Sequence, residues 1–164
     1  MAEFEEVYRR YFRDVYLYAK ALTRDPRLAE EIVSETFFKA MRGLADFRGG
    51  CDVRVWLCRI ARNCYYSHLR KAGRLTELEG ERADPDAGPE EAFLRQDTAM
   101  RAHAALHRLP EPYREVFSLR VFGELNFAQI GAVFDRTANW ACVTFHRARK
   151  TLIRGLEEET DGTD

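Results

Sequence analysis

The sequence of 164 residues lacks any apolar run long enough to cross a membrane, and its acidic amino terminus lacks the apolar segment of a secretory signal. It also lacks phosphate-binding glycine loops, nucleophile elbows and paired-carboxylate motifs. Its four cysteines (Cys51, Cys58, Cys64 and Cys142) stand at irregular spacings in a chain too long to need disulfide staples. We therefore expect a cytoplasmic protein with reduced thiols, no membrane insertion, no cofactor and no catalytic residue.

Metal-ligating residues are also scarce. Three pairs have the helical i, i+4 spacing: Cys64 with His68, His103 with His107, and Cys142 with His146. Each pair offers only half of a tetrahedral zinc site, and no neighbouring ligands in the sequence complete one. We expect no bound metal.

The net charge of −1 hides a segregated pattern. Residues 51–71 carry five basic groups and one acidic group, whereas residues 72–98 carry three basic and eight acidic groups. Residues 136–154 carry five basic and no acidic groups, and the last ten residues carry five acidic and no basic ones. Two separate basic blocks favour a polyanionic partner, although solvated helix faces remain the plainer alternative.

Apolar residues recur every three to four positions along most of the chain, a spacing typical of amphipathic helices. The pattern covers residues 4–22, 29–44 and 53–71, and no period-two strand pattern competes with it. Asp25 followed by Pro26 predicts the N-cap of the second helix. These patterns predict an all-α fold.

Residues 72–98 divide the chain into two small helical domains. Gly73, Gly80 and Gly88, together with two prolines, are expected to interrupt any helix there, which predicts a flexible linker. The domains then span residues 1–71 and 99–156, and an acidic tail occupies residues 157–164. Each domain would bury only about 60% of its unfolded surface, so we expect modest stability.

The second domain ends in the most specific local pattern. Asn126 can cap a short helix, Asp135 and Arg136 form a tight turn, and Thr137 can cap a longer basic helix. This order predicts a helix-turn-helix, whose second helix lies in the major groove of DNA. Nine residues on or beside that helix are expected to contact DNA: Arg136, Thr137, Asn139, Trp140, Val143, Thr144, Arg147, Arg149 and Lys150.

Different roles follow from these side chains. Asn139, Trp140, Val143 and Thr144 suit adenine edges and thymine methyl groups, whereas the arginines and Lys150 suit phosphates. Trp140 can equally pack on the preceding helix.

Two faces in the first domain also suggest binding surfaces. The second helix has an acidic face with one aromatic anchor, as a partner-helix surface requires: Glu30, Glu31, Ser34, Glu35, Phe38 and Lys39. The third helix can follow a phosphate backbone and stack or pair with unpaired bases through Arg59, Arg62, Asn63, Tyr66, Arg70 and Lys71. A solvated face with a stray Phe38 is the alternative for the first surface, and Trp56 is expected to be core.

Three segments resemble one protein family. AEEIVSETFFKA (residues 29–40) looks like the core-binding helix of sigma factors, and VWLCRIARNCYYSHLRK (residues 55–71) is similar to their promoter-melting helix. Residues 106–152 resemble their promoter-reading domain. The match is to the extracytoplasmic function (ECF) group of the sigma-70 family, which keeps only the second and fourth conserved regions.

The resemblance implies a sigma factor that binds core RNA polymerase and directs promoter-specific initiation. It implies that the acidic face docks on the clamp helices of the largest polymerase subunit. It further implies that the third helix, with the loop at Phe47, Arg48 and Gly49, holds and melts the minus-ten element, and that the helix-turn-helix reads the minus-thirty-five element. We also expect an anti-sigma factor as a partner, and a monomer when the chain is free.

Five residues depart from the family pattern. Ser34 replaces a common glutamine, Ser67 a usual aspartate, and Cys142 a frequent basic residue. In the helix-turn-helix, Gly131 stands where alanine is usual and Asp135 where glycine is usual.

Two other classes of protein stay open from the residues alone. A ligand-sensing helix-turn-helix repressor or activator would dimerise and bind closed duplex DNA without polymerase. A helical adaptor would bind only protein.

Overall fold

The computed structural model describes residues 2–47, 49, 52–79 and 98–161, which form seven α-helices and one 3-10 turn, without a strand among them. The amino-terminal domain contains α1 (Ala2–Leu22), α2 (Pro26–Gly43), the 3-10 turn (Leu44–Asp46) and α3 (Val53–Glu79). The carboxy-terminal domain contains α4 (Thr98–Arg108), α5 (Tyr113–Val121), α6 (Phe127–Val133) and α7 (Ala138–Asp161). The prediction of an all-α, two-domain fold is confirmed.

The start of α2 follows the predicted capping chemistry. The Asp25 carboxylate accepts a hydrogen bond from the backbone N–H of Arg27 at 3.0 Å, and Pro26 opens the helix. The helix then buries a stripe at three- and four-residue spacing against α1 and α3: Ala29, Ile32, Val33, Thr36, Phe37 and Ala40. This burial turns the opposite face of α2 outward.

The third helix is longer than its sequence predicts. α3 continues through Gly73 to Glu79, so the prediction that Gly73 interrupts the helix is wrong. A single glycine weakens a helix by about 1 kcal/mol relative to alanine, which an established helix tolerates. Residues 80–97 of the predicted linker lie outside the described residues.

The two domains share one packed core, which the sequence does not predict. Val116 and Leu119 of α5, with Leu125, are fully buried in the same cluster as Val15 of α1 and Leu57 of α3. A second cluster joins the end of α1 to the carboxy-terminal domain through Ala21, Leu106, Leu109 and Ala148.

Among the described residues, none of the helices combines the length and hydropathy needed to cross a membrane.

Candidate functional site

The helix-turn-helix is built from two side-chain caps. Asn126 accepts a hydrogen bond from the N–H of Gln129 at 2.8 Å, and the Gln129 side chain accepts one from the N–H of Asn126 at 2.9 Å. The hydroxyl of Thr137 accepts from the N–H of Trp140 at 3.0 Å at the start of α7. Caps of this kind satisfy helix N–H groups that have no intrahelical acceptor. The predicted start of each helix is confirmed.

The turn between α6 and α7 explains two departures from the family pattern. Asp135 adopts a left-handed backbone, with φ of 55°, at the position where the resemblance implies glycine, and aspartate tolerates this conformation better than most residues. At Gly131, an added Cβ would lie 2.7 Å from the carbonyl oxygens of both Arg136 and Thr137. The Arg136 N–H donates to the Gly131 carbonyl at 2.7 Å, so the chain closes tightly here. Glycine at position 131 therefore permits the close approach.

Most of the predicted DNA-contacting residues of α7 are exposed. The structure leaves these side chains accessible: Arg136, Thr137, Asn139, Val143, Arg147, Arg149 and Lys150. Thr144 is only 5% exposed, so its predicted position on the outer face is wrong. It lies three residues after buried Ala141 and four before buried Ala148, which places it on the inner stripe.

Trp140 packs on the preceding turn. Its ring centroid lies 5.3 Å from that of Phe134, and the Arg136 guanidinium lies 5.7 Å from the ring. The indole is half-buried, so the packing alternative describes Trp140 in this structure. Base contact by Trp140 stays a prediction.

The basic face of α7 borders a groove against the start of α5. Leu109, Tyr113, Arg147, Lys150 and Arg154 line a space of about 280 Å³ there. The three cations belong to α7, whereas Leu109 precedes α5 and Tyr113 begins it. Such a groove suits a phosphate-bearing or acidic segment.

The predicted nucleic-acid residues of α3 divide into two sets. Arg59, Asn63, Arg70 and Lys71 are exposed on the helix surface. Arg62 and Tyr66 are partly buried and face the carboxy-terminal domain.

An ion pair joins Arg62 to the other domain. Its Nε and Nη2 donate to the two oxygens of Glu115 at 2.9 and 3.3 Å, and the Glu115 side chain is only 3% exposed. Burial alone would lower the pKa of Arg62, but the bond and charge of Glu115 outweigh it and the pKa is raised. Burial also raises the pKa of Tyr66, and its hydrogen bond to Glu115 adds to the shift.

The loop between α2 and α3 contributes an aromatic pair. Phe47 is half-buried and stacks on Trp56, with ring centroids 4.7 Å apart. Trp56 packs against the core as expected. Gly49 has a positive φ of 72°. Arg48, the remaining member of the predicted set, lies outside the described residues.

The predicted partner surface on α2 is acidic and apolar. Glu30, Glu31 and Ser34 are exposed, and Phe38 is 55% exposed beneath the guanidinium of Arg42 at 5.7 Å. Met41, also exposed, extends the apolar part of this face.

Two members of that predicted set turn toward α3. Glu35 lies 3.1 Å from Nε2 of His68, and Lys39 Nζ donates to the Cys64 sulfur at 3.6 Å. Burial raises the pKa of the Cys64 thiol, which favours its protonated form. Glu35 and Lys39 thus help to fix α2 on α3 in addition to bordering the exposed face.

Within the described part of the chain, no three histidine, cysteine or acidic side chains come close enough to hold a metal ion. The imidazoles of His103 and His107 lie 3.2 Å apart at their Nε2 atoms. Nδ1 of His107 lies 3.2 Å from the Arg114 guanidinium, so it accepts a hydrogen bond there. Cys58, Cys64 and Cys142 are free thiols.

Glu115 is the site residue that the sequence reasoning missed. It lies one helical turn before buried Leu119 and next to buried Val116, on the apolar stripe of α5. An acid on such a stripe indicates a paired, buried charge, because unpaired burial is costly. The sequence therefore indicates that Glu115 is paired, but it does not identify Arg62 as the partner.

Comparison with known proteins places both halves of the chain. The family model for sigma-70 region 2 matches residues 7–75, and that for sigma-70 region 4 matches residues 99–152. The chain is 29% identical to the RNA polymerase sigma factor YlaC of Bacillus subtilis, over 94% of this chain and 95% of that factor. It is 31% identical to the RNA polymerase sigma-H factor of Pseudomonas aeruginosa, over 81% of this chain and 75% of that factor.

A solved structure has the same fold. The chain matches the sigma factor RpoE, in complex with the anti-sigma factor NepR from Bartonella quintana, with a TM-score of 0.79 and 21% identity. The match covers 96% of this chain and 98% of that one.

Proposed function

Because this chain belongs to the ECF group of the sigma-70 family, whose members direct promoter-specific transcription initiation by RNA polymerase, we propose which of its surfaces carries each step. α7 reads the minus-thirty-five element, and α3 with the Phe47 loop holds the minus-ten element as it melts. The outer face of α2 binds the core enzyme. The chain acts in the cytoplasm as a regulatory protein without a reaction of its own.

The exposed outer face of α7 carries this assignment. Asn139 and Val143 lie in the first turns of a capped helix-turn-helix and are open to solvent. Arg147, Arg149 and Lys150 follow on the same helix, and no acidic residue occurs between Arg136 and Arg154. A helix that presents polar and apolar groups first and cations afterwards suits base edges and phosphates respectively.

A run-off transcription assay with purified core polymerase tests the proposal. We expect transcripts from a defined start on cognate promoters only when both core enzyme and this chain are present, and only weak promoter binding by the chain alone. Tight binding to closed duplex DNA without core enzyme would instead support a repressor, and absence of any DNA dependence would support an adaptor.

The core-binding surface can be tested by charge reversal. Replacing Glu30 and Glu31 with lysine should abolish pull-down of core enzyme, since both carboxylates are exposed on the outer face of α2. We choose them over Glu35 because Glu35 contacts His68. Glu5 and Glu6, exposed on α1, provide the matched control, and lysine there should leave pull-down unchanged. Equal loss in both variants would refute the surface.

An anti-sigma factor is the second proposed partner. The solved structure of the sigma factor RpoE, which has the same fold, is a complex with the anti-sigma factor NepR. The apolar Phe38 and Met41 on α2 offer a surface that such a protein can cover, thereby excluding polymerase. Purification of the chain from its uninduced host should recover a protein that core polymerase displaces in competition. Recovery of polymerase alone would refute this partner.

A further inference from the structure

The Glu115 carboxylate binds the guanidinium of Arg62, a residue that the proposed function assigns to promoter DNA. It belongs to the first turn of α5, in the carboxy-terminal domain, whereas Arg62 belongs to α3 in the amino-terminal domain. Both carboxylate oxygens accept from the guanidinium, at 2.9 and 3.3 Å. Bidentate pairs of this type are among the strongest hydrogen-bonded contacts in proteins.

Two aromatic rings also lie against the guanidinium of Arg62. Its guanidinium carbon lies 5.0 Å from the ring centroid of Tyr66 and 4.9 Å from that of Phe134. Phe134 follows α6 at the helix-turn-helix, so the second ring comes from the other domain. Burial, and after it Glu115, raise the pKa of the Tyr66 hydroxyl. Both groups that could bind or stack on unpaired nucleotides are therefore covered.

Further contacts fasten the same face of α3. Arg114 Nη2 donates to the Tyr65 hydroxyl at 3.2 Å, and Arg54 pairs with Glu124 at 3.3 Å. Near the end of α5, an added Cβ at Gly123 would lie 3.2 Å from the Cys58 sulfur, so the backbone approaches α3 closely. Residues of the carboxy-terminal domain thus contact α3 at Arg54, Cys58, Arg62 and Tyr65.

This coverage and nucleic-acid binding exclude each other. A carboxylate and a phosphate present equivalent oxygen pairs to a guanidinium fork, so Arg62 can hold one or the other. Glu115 therefore takes the place that a backbone phosphate needs. Arg59, Asn63, Arg70 and Lys71 stay exposed, but they lack the enclosed aromatic setting of Arg62.

One buried group disfavours the packed arrangement. The hydroxyl of Tyr18, on α1, is fully buried and makes no hydrogen bond. A buried polar group without a partner lowers stability, because water satisfies it in the open state. The packed arrangement therefore includes one unsatisfied polar group, which partly offsets the stability gained from the shared core.

We propose that the packed arrangement is an autoinhibited state, in which Glu115 acts as an internal acidic substitute for DNA phosphate and locks α3 until the domains separate. The masking of DNA binding rests on the proposed function of α3, whereas the lock itself does not. Polymerase binding, which must present both DNA-reading helices to one promoter, would select the separated state.

Small-angle X-ray scattering and DNA binding on the full chain test the lock together. Glu115→Gln keeps the size of the side chain but removes the charge that holds Arg62. We expect a larger radius of gyration, and at least about tenfold tighter binding of a fluorescent random-sequence single-stranded DNA, because apparent affinity follows the competent fraction. Random sequence suffices because stacking and phosphate contacts tolerate any base.

Glu124→Gln is the matched control. It also removes one acid of the carboxy-terminal domain that pairs with α3, but its side chain is 58% exposed and its partner Arg54 retains Asp14 at 3.2 Å. We expect wild-type radius and DNA affinity. A charge exchange, Arg62→Glu with Glu115→Arg, should restore the wild-type radius and leave DNA binding weak.

The outcomes separate the lock from the proposed function. A larger radius for Glu115→Gln without tighter DNA binding supports the lock and refutes the assignment of α3 to DNA. An unchanged radius refutes the lock, and so does equal behaviour of the two single variants. If circular dichroism shows that Glu115→Gln is unfolded, Arg62→Gln breaks the same pair from the other side and must give the larger radius.

Discussion

The two basic helices of this chain have similar charge but different environments. α7 packs by one stripe and leaves Asn139, Arg147 and Lys150 in solvent. α3 packs against α1 and α2, and on another side its Arg62 pairs with Glu115 of α5. The helix that we propose reads the minus-thirty-five element is therefore open, whereas Arg62 on the helix that we propose holds the minus-ten element is paired with the other domain.

This difference indicates how a small sigma factor can limit its own action. An accessible α7 permits contact with one promoter element, but initiation also needs the element that α3 is proposed to hold. Because Glu115 lies on the carboxy-terminal domain, the domain that we propose reads one element would mask the helix that we propose holds the other. Substitutions that affect only α3 or only α7 test this difference between the two helices.

The largest effect is expected at the helix-turn-helix. Gly131→Ala should lower the free energy of unfolding by about 3 kcal/mol, because the new Cβ meets two backbone carbonyl oxygens that cannot move aside. Promoter binding through α7 should be lost with it. Chemical denaturation measures the first effect, and promoter binding with core enzyme measures the second.

Gly155→Ala is the control for that change. Nothing lies within 4 Å of its Cβ position on α7, so alanine should stabilise the helix by about 0.5–1 kcal/mol. If Gly131→Ala and Gly155→Ala destabilise the protein equally, the close backbone contact at Gly131 is not the cause of the loss.

The next effect compares one arginine from each helix. Arg62→Ala should lower the free energy of unfolding by about 2 kcal/mol, because it leaves the buried Glu115 carboxylate unpaired, and the 25% exposure of Arg62 moderates the loss. Arg147→Ala, on the exposed face of α7, should change it by less than about 0.5 kcal/mol. Urea denaturation of both variants gives the comparison, and equal losses would contradict the closed state of α3.

Base reading by α7 gives a smaller effect, confined to one promoter position. Asn139→Ala should relax preference at that position by about 1–2 kcal/mol, because an amide can bond two atoms of adenine. Arg147→Ala should weaken all promoters alike and flatten the salt dependence. A promoter library transcribed with each variant separates the two roles. Uniform weakening by Asn139→Ala, with altered base preference from Arg147→Ala, would reverse the assignment.

Local features of this fold could be predicted from the sequence because each depends on neighbouring residues. The caps at Asp25, Asn126 and Thr137 need only a polar side chain two or three positions before an N–H group. The family was also predictable, since its segments occur in order along the chain. Thr144 was misplaced although its spacing from Ala141 and Ala148 already puts it on the buried stripe.

Contacts between distant segments could not be predicted in the same way. The pairing of Arg62 with Glu115 spans 53 positions, and helical periodicity identifies only that each residue lies on some face. A helix buried on two sides has a second inner face, which an amphipathic pattern with one stripe conceals. The exposed residues of α3 were thus easier to predict than those that contact the carboxy-terminal domain.

The smallest expected effect is a pH dependence of the domain contact. His107 of α4 has a pKa lowered to about 4, first by burial and then by the positive groups around it, which are His103, Arg114 and Arg24. Its Nε2 also lies 3.3 Å from the backbone carbonyl of Lys20 at the end of α1. Protonation would place a charge among cations at the junction of the two domains.

The sign follows from the two pKa values. The unfolded chain takes up a proton below about 6.5, whereas the folded chain keeps His107 neutral down to about 4, so the unfolded state binds more protons between them. Stability should therefore fall as the pH is lowered through this window, by less than about 1 kcal/mol at pH 5.5 because solvent screens the half-buried ring. Thermal unfolding between about pH 7 and pH 5.5 measures it. His107→Gln should reduce the slope, and His146→Gln, on an exposed ring, should not. An equal slope in all three proteins would assign the pH dependence to other groups and leave the contact between α1 and α4 insensitive to acid.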